Sequence, residues 1–480
     1  MFFTSSFYSN STTNSTNLNS ANQNQKKCRR FQTAKLPLIL ALSLSVLSCT
    51  TTEKIAGGEN ESEKGSTEQI SETTNDSKKK DEPKKEKEKG KKEDGKKENP
   101  PPAQIATTST ISLLFAGDVM AHEENFALGK FDRIWKYVEK KIQSADLAFC
   151  NLESPVMDTK PWKSYPTFNM HTSYVEQAIK AGFDVFSLAN NHTNDQYLKG
   201  INSTREYFKS RSDVWAAGLR EKADGELTYR VIEKEIPVAD QNGKPITEKD
   251  ENGNEKPKTT KWKILFVAIT ELLNRNDYSD YIDYYPREKR ALLKRQLNAL
   301  KNANEHDLFV ISVHNDEPEY VLKVSEDHRA FCHQLINECG ADIVWANHPH
   351  VVQEWEKVQA GNNRDAFIMY ANGNTISGQR RTQHFDNPGD SFDYRGEGIF
   401  MEISLEKKLS ETKENEKKIS ITKTKANLIT VMVSSDNRYV IRFLDDRLLE
   451  ILDEAEYIKW KNYLSKRKKL MEDYLPKGDW

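Results

Sequence analysis

From residue 110 onwards the chain alternates between short apolar segments and segments with helical spacing. The apolar segments at 110–120, 146–156 and 184–192 are separated by helix-like segments at 131–145 and 173–183, the second of which ends at a glycine. Strands that alternate with amphipathic helices are typical of an α/β fold with a buried sheet. Further strand-like segments continue this pattern, so we expect one α/β domain over residues 110–434.

Two segments depart from this pattern. Residues 233–262 are polar and contain an Asn-Gly turn signal, so we expect a β-hairpin or an insertion there. Residues 435–480 are expected to be a C-terminal extension, built on a charged amphipathic helix that begins near 444.

The N-terminal part is of a different kind. Residues 36–49, "LPLILALSLSVLSC", form an apolar run that is about right for a signal peptide, and the run ends in a small residue and a cysteine, as a bacterial lipobox does. We therefore expect a signal and lipoprotein segment over 1–49, with lipidation at Cys49. The long polar stretch before Lys35 is unusual for such a segment, so a later translation start is an alternative. Residues 50–109 mix both charges with Gly and Pro and are expected to be a disordered tether. These features predict a lipoprotein that is anchored in a cell-envelope membrane and faces outside the cytoplasm.

Charge and cysteine content exclude two classes of protein. The formal net charge of −2 gives no indication of nucleic-acid binding. Cys150, Cys332 and Cys339 are spaced like core residues, and an odd set of three is not a disulfide framework.

Polar clusters follow the predicted strands at the points where they end. The residues are Asp118, Asn151, Glu153, Asn190, Asn191, His192, His314, His348 and His350. Ligand sites of α/β folds lie at the carboxyl ends of strands. Carboxylates, an amide oxygen and imidazoles suit one or two divalent ions such as Mn, Fe or Zn. A single member of this set has an ordinary explanation as a turn or a satisfied polar residue, whereas the repetition favours a metal site.

The His348-Pro349-His350 segment carries the strongest individual signal. In extended backbone, residues i and i+2 point the same way, so we expect both imidazoles to face one site.

The order of these motifs resembles the CapA family of poly-gamma-glutamate capsule biosynthesis proteins, which is related to calcineurin-like metallophosphoesterases. The matching stretches lie between about 110 and 400 and read "FAGDVM", "ADLAFCNLESPV", "AGFDVFSLANNHTND", "VISVH", "NHPHVVQ" and "YANGNTI". The resemblance implies a four-layer α-β-β-α sandwich of two mixed sheets, with a C-terminal helical extension.

The resemblance also implies roles for individual residues. Asp118 and His350 would hold a first metal, and Glu153 would bridge both metals. The second metal would be completed by three side chains: Asn191, His314 and His348. His192 would face the substrate as a general acid or anion clamp, beside four expected substrate-binding residues: Asn151, Asn190, Arg380 and Arg381.

This chain departs from the family pattern at several positions. Met120 stands where the phosphoesterases have a histidine, which predicts a weaker or absent first metal. Asn315 and Asp316 replace a Trp-Gly pair, and Asn347 stands where a glycine often precedes the His-Pro-His segment.

Three functions follow from these observations as alternatives. The first is a lipoprotein for biosynthesis or export of an anionic capsule-type polymer such as poly-gamma-glutamate, with membrane-bound capsule synthesis proteins as partners. The second is a metallophosphoesterase that acts on another envelope substrate, and the third is a non-catalytic polymer-binding accessory protein. Because the sequence contains no Walker-type Gly-Lys-Ser/Thr loop, ATP-dependent polymerisation would belong to a partner.

Overall fold

The structure is a computed structural model that describes residues 107–127, 129–409, 418–433, 439–452 and 457–478. The expected signal segment with Cys49, and the expected tether up to residue 106, lie outside the described residues.

The first sheet is mixed and contains eight of the described strands. They are β1 (Thr107–Val119), β2 (Leu147–Leu152), β3 (Val185–Ser187), β4 (Trp215–Ala217), β13 (Asn374–Ile376), β14 (Glu397–Lys408), β15 (Ile419–Val433) and β16 (Tyr439–Phe443). The spatial order is β16-β15-β14-β1-β2-β3-β4, with β13 beside the end of β1. Neighbouring strands among β1, β2, β3 and β4 are parallel. Neighbouring strands among β1, β14, β15 and β16 are antiparallel.

The second sheet is also mixed. Its strands are β5 (Tyr229–Asp240), β8 (Thr259–Thr270), β9 (Leu308–His314), β10 (Ile343–Asn347), β11 (Trp355–Ala360) and β12 (Arg364–Met369), in the order β11-β12-β10-β9-β8-β5. Strands β8, β9, β10 and β12 are parallel to one another. Every residue of β9 and β10 is buried, as expected for parallel strands that are covered on both faces. Because β5 also pairs with the start of β1, the two sheets are hydrogen-bonded to each other at one edge.

The two sheets face each other across an apolar core. Phe115 and Phe149 of the first sheet stack with ring centroids 4.5 Å apart, and Phe149 lies 5.7 Å from Phe266 of the second sheet. Trp345 of the second sheet packs on Phe115 at 5.8 Å. The burial of these large rings is the main stabilising contribution in this layer.

Helices pack against both sheets. The helices are α1 (Glu123–Phe126), α2 (Asp132–Trp135), α3 (Glu139–Ile142), α4 (Thr172–Ala181), α5 (Tyr197–Lys209), α6 (Arg290–Ala303), α7 (Glu326–Asn337), α8 (Asp446–Ile451) and α9 (Ile458–Tyr474). Helices α2 to α5 pack on the first sheet, and α6 and α7 pack on the second. Gly182 ends α4 at φ 114°, a left-handed conformation that favours glycine. The expected α-β-β-α sandwich is confirmed.

The two segments that depart from the α/β alternation are also defined. Residues 233–262 lie mostly in the long antiparallel hairpin of β5 and β8, whose tip carries the small ribbon of β6 (Thr247–Lys249) and β7 (Glu255–Pro257). Beyond 434 the sheet continues with β16 before α8 and α9 begin, so the C-terminal extension is not only helical. Apolar side chains of α8 and α9 join the core between the sheets.

Three cysteines among the described residues, Cys150, Cys332 and Cys339, are buried and free, as expected. Within the described parts of the chain, no helix is long and apolar enough to cross a membrane.

Candidate metal centre

The polar clusters meet where parallel strands of both sheets end. Asp118 lies at the end of β1, Glu153 follows β2, and Asn191 follows β3. From the second sheet, His314 ends β9, while His348 and His350 follow β10. All six side chains are at most 3% exposed. The fold therefore brings together the full set of expected metal ligands.

Glu153 lies at the centre of this cluster. Its carboxylate belongs to two groups whose donor atoms all lie within 4.8 Å of one another, one with Asp118 and His350 and one with His314 and His348. Glu153 Oε1 lies 3.6 Å from His350 Nε2 and 3.8 Å from His314 Nε2. A carboxylate shared by two such groups is suited to bridge two cations.

Direct contacts orient the other ligands. His350 Nδ1 lies 3.0 Å from Asp118 Oδ2, and His314 Nε2 lies 2.9 Å from Asn191 Oδ1. The Asn191 amide oxygen therefore faces the group that contains Glu153, His314 and His348, as the resemblance implies.

The donor set fits a divalent cation. Glu153 Oε1 and His348 Nδ1 are buried without a hydrogen-bond partner among the described residues, which is costly unless another group satisfies them. Burial raises the pKa of Glu153 well above its usual value, and the nearby Asp118 carboxylate raises it further. Burial and then His348 lower the pKa of His314 well below its usual range, and burial and then His350 lower the pKa of His348 to about 4. Neutral imidazoles are the state that metal binding requires, and a bound cation would take the place of the proton that burial favours on Glu153.

The backbone of the His-Pro-His segment differs from the expectation. His348 has φ 115° and His350 has φ 57°, so the segment is a bend with left-handed residues and not an extended strand. The two rings still converge, with centroids 5.9 Å apart. Their common direction results from the bend, and not from the alternation of side chains along an extended strand. Left-handed backbone at non-glycine residues costs free energy and is concentrated at functional sites.

His192 lies beside the ligand groups and belongs to none of them. Its Nδ1 lies 2.7 Å from Asp195 Oδ2, and the Phe168 ring packs edge-on against it with centroids 4.7 Å apart. The Asp195 carboxylate also accepts the Phe168 backbone N–H at 2.6 Å, which fixes its position. Asp195 was not singled out from the sequence, although it follows His192 by three residues in "HTND".

Two expected substrate-binding asparagines lie behind the carboxylates. Asn151 Nδ2 donates to Asp118 Oδ1 at 2.8 Å and to Glu153 Oε2 at 3.4 Å. Asn190 Nδ2 donates to the Leu152 carbonyl at 2.9 Å and to Asn151 Oδ1 at 3.4 Å. Both side chains therefore support the metal ligands from within the fold.

The structure does not bring Arg380 to the cluster. Its guanidinium is buried, forms an ion pair with Glu397, and donates to Thr430 Oγ1 at 2.8 Å. It passes directly over Gly396, where a Cβ atom would lie 1.9 Å from the Arg380 Cζ. Arg381 is exposed and lies 2.8 Å from Glu124.

Two residues near the cluster were not assigned to it from the sequence. Glu319 forms a third group of donor atoms with His348 and His350, on the solvent side. His122 is buried with an unpartnered Nδ1, and burial and then His350 lower its pKa to about 3. It lies two residues beyond Met120, which is buried and offers only a thioether.

Two other departures from the family pattern, Asn315 and Asp316, make contacts outside the ligand set. The Asn315 side chain accepts the Glu317 backbone N–H at 2.9 Å and lies 3.2 Å from His328 Nε2. Asp316 pairs with Arg287 at 3.1 Å. These residues shape the loop after β9 and leave the ligand set intact.

Comparisons with known proteins identify the family of this chain. Residues 112–379 match the profile of the family described as "Bacterial capsule synthesis protein PGA_cap". The "Capsule biosynthesis protein CapA" of Bacillus anthracis is 26% identical over 276 residues, which are 56% of this chain and 59% of that protein. The "PGA biosynthesis protein CapA" of Bacillus subtilis is 23% identical over 297 residues, which are 60% of this chain and 68% of that protein. This chain therefore spans less than two thirds of the length of the first of these relatives.

A crystal structure of a hypothetical protein from Thermus thermophilus aligns with 66% of this chain and 98% of its own at 15% identity. Its TM-score of 0.35 is too low to support an argument about fold or function. All the ligands described above lie inside the segment that the family profile matches.

Proposed function

This chain belongs to the bacterial capsule synthesis protein family PGA_cap, and from that premise we propose that it is a metal-dependent hydrolase acting on an anionic capsule-type polymer. The polymer is poly-gamma-glutamate-like, in keeping with the name of the Bacillus subtilis relative. The bond hydrolysed in such a polymer is a γ-glutamyl amide, and hydrolysis of a phosphoester would require another envelope substrate.

The observation that carries this proposal is the buried Glu153 carboxylate. Its Oε1 has no hydrogen-bond partner among the described residues and lies between His314 and His350. A carboxylate that served only the fold would be expected to have a donor. The arrangement supports one or two divalent ions such as Mn, Fe or Zn, held by Asp118, Glu153, Asn191, His314, His348 and His350.

The residues around the ligands support a hydrolytic role. A bound divalent ion would lower the pKa of a coordinated water and polarise the oxygen of the scissile group. His192 is positioned to give a proton to the leaving group, and Asp195 holds its ring by the 2.7 Å contact to Nδ1. The buried position of both side chains keeps this geometry fixed.

Met120 favours a second candidate function, a non-catalytic polymer-binding accessory protein. Its thioether replaces an expected imidazole, so Asp118, Glu153 and His350 have no fourth strong donor at that position, whereas Asn191 adds one to Glu153, His314 and His348. A chain that bound one ion weakly, or none, would retain the fold as a scaffold.

A lipid anchor at Cys49 is part of the proposal. Such an anchor, followed by the charged segment 50–106, would hold the domain outside the cytoplasm, close to membrane-bound capsule synthesis proteins. The support for it is the apolar run and cysteine of the sequence. Globomycin, which blocks lipoprotein signal cleavage, should convert the wild-type chain from a cleaved to an uncleaved form, whereas Cys49→Ala should be uncleaved by this route with or without globomycin.

Metal content tests the central claim. We expect the full-length chain, purified without chelator, to contain one to two Mn, Fe or Zn ions per chain by elemental analysis. Glu153→Gln and His348→Ala should each remove most of this metal, because each replaces a donor of the described groups. His333→Ala is the matched control, since this histidine of α7 pairs with Glu356 of β11, outside these groups.

Activity assays then separate the two candidate functions. Metal-loaded protein is expected to hydrolyse a γ-glutamyl amide or a phosphodiester, and His192→Ala should abolish turnover while the metal remains bound. If the wild-type chain binds no metal in excess Mn, and the variants fold like the wild type, the hydrolase proposal fails and the accessory function is favoured.

A further inference from the structure

We propose that Arg395 is the substrate-recognition arginine of this site and that it binds an oxyanion adjacent to the group held at the metal centre. This proposal rests on the proposed function and names a residue outside the segment matched by the family profile. It replaces Arg380, which the structure buries in an ion pair with Glu397.

Two aromatic rings hold the Arg395 guanidinium. Its Cζ lies 3.5 Å from the centroid of the Tyr320 ring and 4.1 Å from that of Phe392. Stacking on aromatic rings occupies the faces of a guanidinium and leaves the N–H groups of its edge available. Because the plane is fixed by the rings, little side-chain entropy remains to be lost when an anion binds.

The second observation is that Arg395 is not paired with an acidic side chain in the part of the chain that the structure describes. Among the described residues, no carboxylate forms an ion pair with Arg395, and its buried Nε has no hydrogen-bond partner. Nearby arginines differ in this respect, since Arg380 and Arg467 pair with Glu397 and Arg381 pairs with Glu124. An arginine that is held in place without an acid is suited to bind the acid of a ligand.

The position of Arg395 is coupled to the metal centre through Tyr320. The Tyr320 ring lies 6.1 Å from the His350 ring, and the Tyr320 backbone N–H donates to the Pro349 carbonyl at 2.8 Å. Asn374 Nδ2 lies 2.9 Å from the Arg395 carbonyl and 3.2 Å from the His350 carbonyl. The Tyr320 ring therefore lies between the Arg395 guanidinium and His350, a proposed metal ligand. The Asn374 side chain links the backbones of Arg395 and His350.

This placement defines the chemistry of the ligand. A guanidinium edge pairs in a bidentate way with carboxylate and phosphoryl groups. A substrate that contacts both the proposed metals and Arg395 would place its reacting group at the metals. A neighbouring carboxylate or phosphoryl group of the same substrate would bind Arg395. The free carboxylate of a γ-linked glutamate unit and the phosphoryl group of an ester both meet this requirement.

Binding measurements on the metal-loaded full-length chain test the proposal. The probes are a γ-linked glutamate pentamer, the same pentamer with its free carboxylates amidated, and inorganic phosphate. Arg395→Met is expected to weaken binding of the acidic pentamer or of phosphate by roughly 10-fold to 100-fold, as for loss of a charge-assisted hydrogen bond. The two probes distinguish a carboxylate from a phosphoryl ligand, and the amidated pentamer should bind equally to both proteins.

Two further variants control this experiment. Arg395→Lys keeps the charge but not the planar edge, so we expect an intermediate loss of affinity. Arg442→Met removes another stacked arginine and should leave binding unchanged. Arg442 lies on β16, and its Cζ is 3.9 Å from the centroid of the Tyr137 ring.

The proposal is overturned if wild-type protein binds neither anionic probe, if Arg395→Met binds both as the wild type does, or if Arg395→Met weakens the amidated pentamer as much as the acidic one. Metal content is measured on the same samples and is expected to be equal in all of them. Failure of the metal centre is thereby distinguished from failure of the arginine assignment.

Discussion

Glu153 and Glu397 are both completely buried, and their surroundings are opposite. Glu397 receives a guanidinium on each oxygen, from Arg380 on Oε1 and from Arg467 on Oε2. Glu153 has an unpartnered Oε1 and only a 3.4 Å contact from Asn151 to Oε2. One carboxylate is neutralised by the chain itself, and the other is not.

The difference separates a structural ion cluster from a site prepared for a ligand. Arg467 lies on α9 and Glu397 on β14, so their ion pair attaches the C-terminal helix to the first sheet. Glu153 lies close to His314 and His348, whose pKa values are lowered by burial, so these two imidazoles supply lone pairs and no positive charge. The proposed divalent ion would supply the positive charge that the described residues do not place at Glu153.

The largest effect is expected when Glu397 is removed. Glu397→Ala should lower the free energy of unfolding by about 3–5 kcal/mol, because it leaves the Arg380 and Arg467 charges buried without a carboxylate. Urea unfolding followed by circular dichroism measures this change. Glu402→Ala on the same strand is the control, since its pair with Lys141 is partly exposed and is expected to contribute less than about 1 kcal/mol.

Metal binding by the fraction of Glu397→Ala that remains folded should equal that of the wild type. A cost below about 1 kcal/mol would show that α9 is not held by this cluster, and the contrast with Glu153 would lose its basis.

Glu153→Gln is expected to have the opposite effect on the metal-free protein. In chelator, this variant should be more stable than the wild type by about 1–3 kcal/mol at pH 8, because an unsatisfied buried charge is replaced by a neutral amide. The folded-state pKa of Glu153 is raised, so the wild type is favoured while the carboxyl is protonated and loses stability as pH rises above the unfolded-state value. The stability difference should therefore be small near pH 4.5 and should grow with pH.

Urea titrations at several pH values, with and without Mn, measure this dependence. Mn should reverse the order by stabilising the wild type alone, since only the wild type keeps the shared carboxylate. If Glu153→Gln is less stable than the wild type at pH 8 in chelator, Glu153 has an internal partner and the comparison with Glu397 is wrong.

The strand-end positions of the ligands could be predicted from the sequence because they depend on local order. An apolar strand followed by "ANNH" or "NHPH" delivers its polar residues to the sheet edge wherever the strand lies. The two sheets then bring these edges together, as Glu153 from the first and His314 from the second show. The bend at His348 and His350 was not predicted, since left-handed φ at these residues depends on tertiary contacts.

The arginines could not be assigned from sequence because their partners lie far away in the chain. Arg380 and Arg381 are adjacent, yet the structure pairs one with Glu397 in the core and the other with Glu124 at the surface. Arg395 could not be predicted as a binding residue, because its stacking on the Tyr320 ring leaves no pattern in the sequence. Whether a charged side chain has a structural role depends on its partners elsewhere in the chain, and local sequence motifs do not identify those partners.

The smallest effect is expected at Arg381, whose partner Glu124 is intermediate between the two buried glutamates. Glu124 is paired through one oxygen at 2.8 Å, and the Arg381 side chain is 59% exposed. Arg381→Ala should change the free energy of unfolding by no more than about 0.5 kcal/mol, because solvent screens such a pair. Its affinity for the γ-linked pentamer should stay within about 3-fold of the wild type, less than the loss expected for Arg395→Met. Titration of the γ-linked pentamer into both variants and the wild type measures this difference. A larger loss of affinity for Arg381→Ala than for Arg395→Met would mean that the acidic ligand displaces Glu124 from Arg381. The recognition role would then belong to Arg381 and not to Arg395.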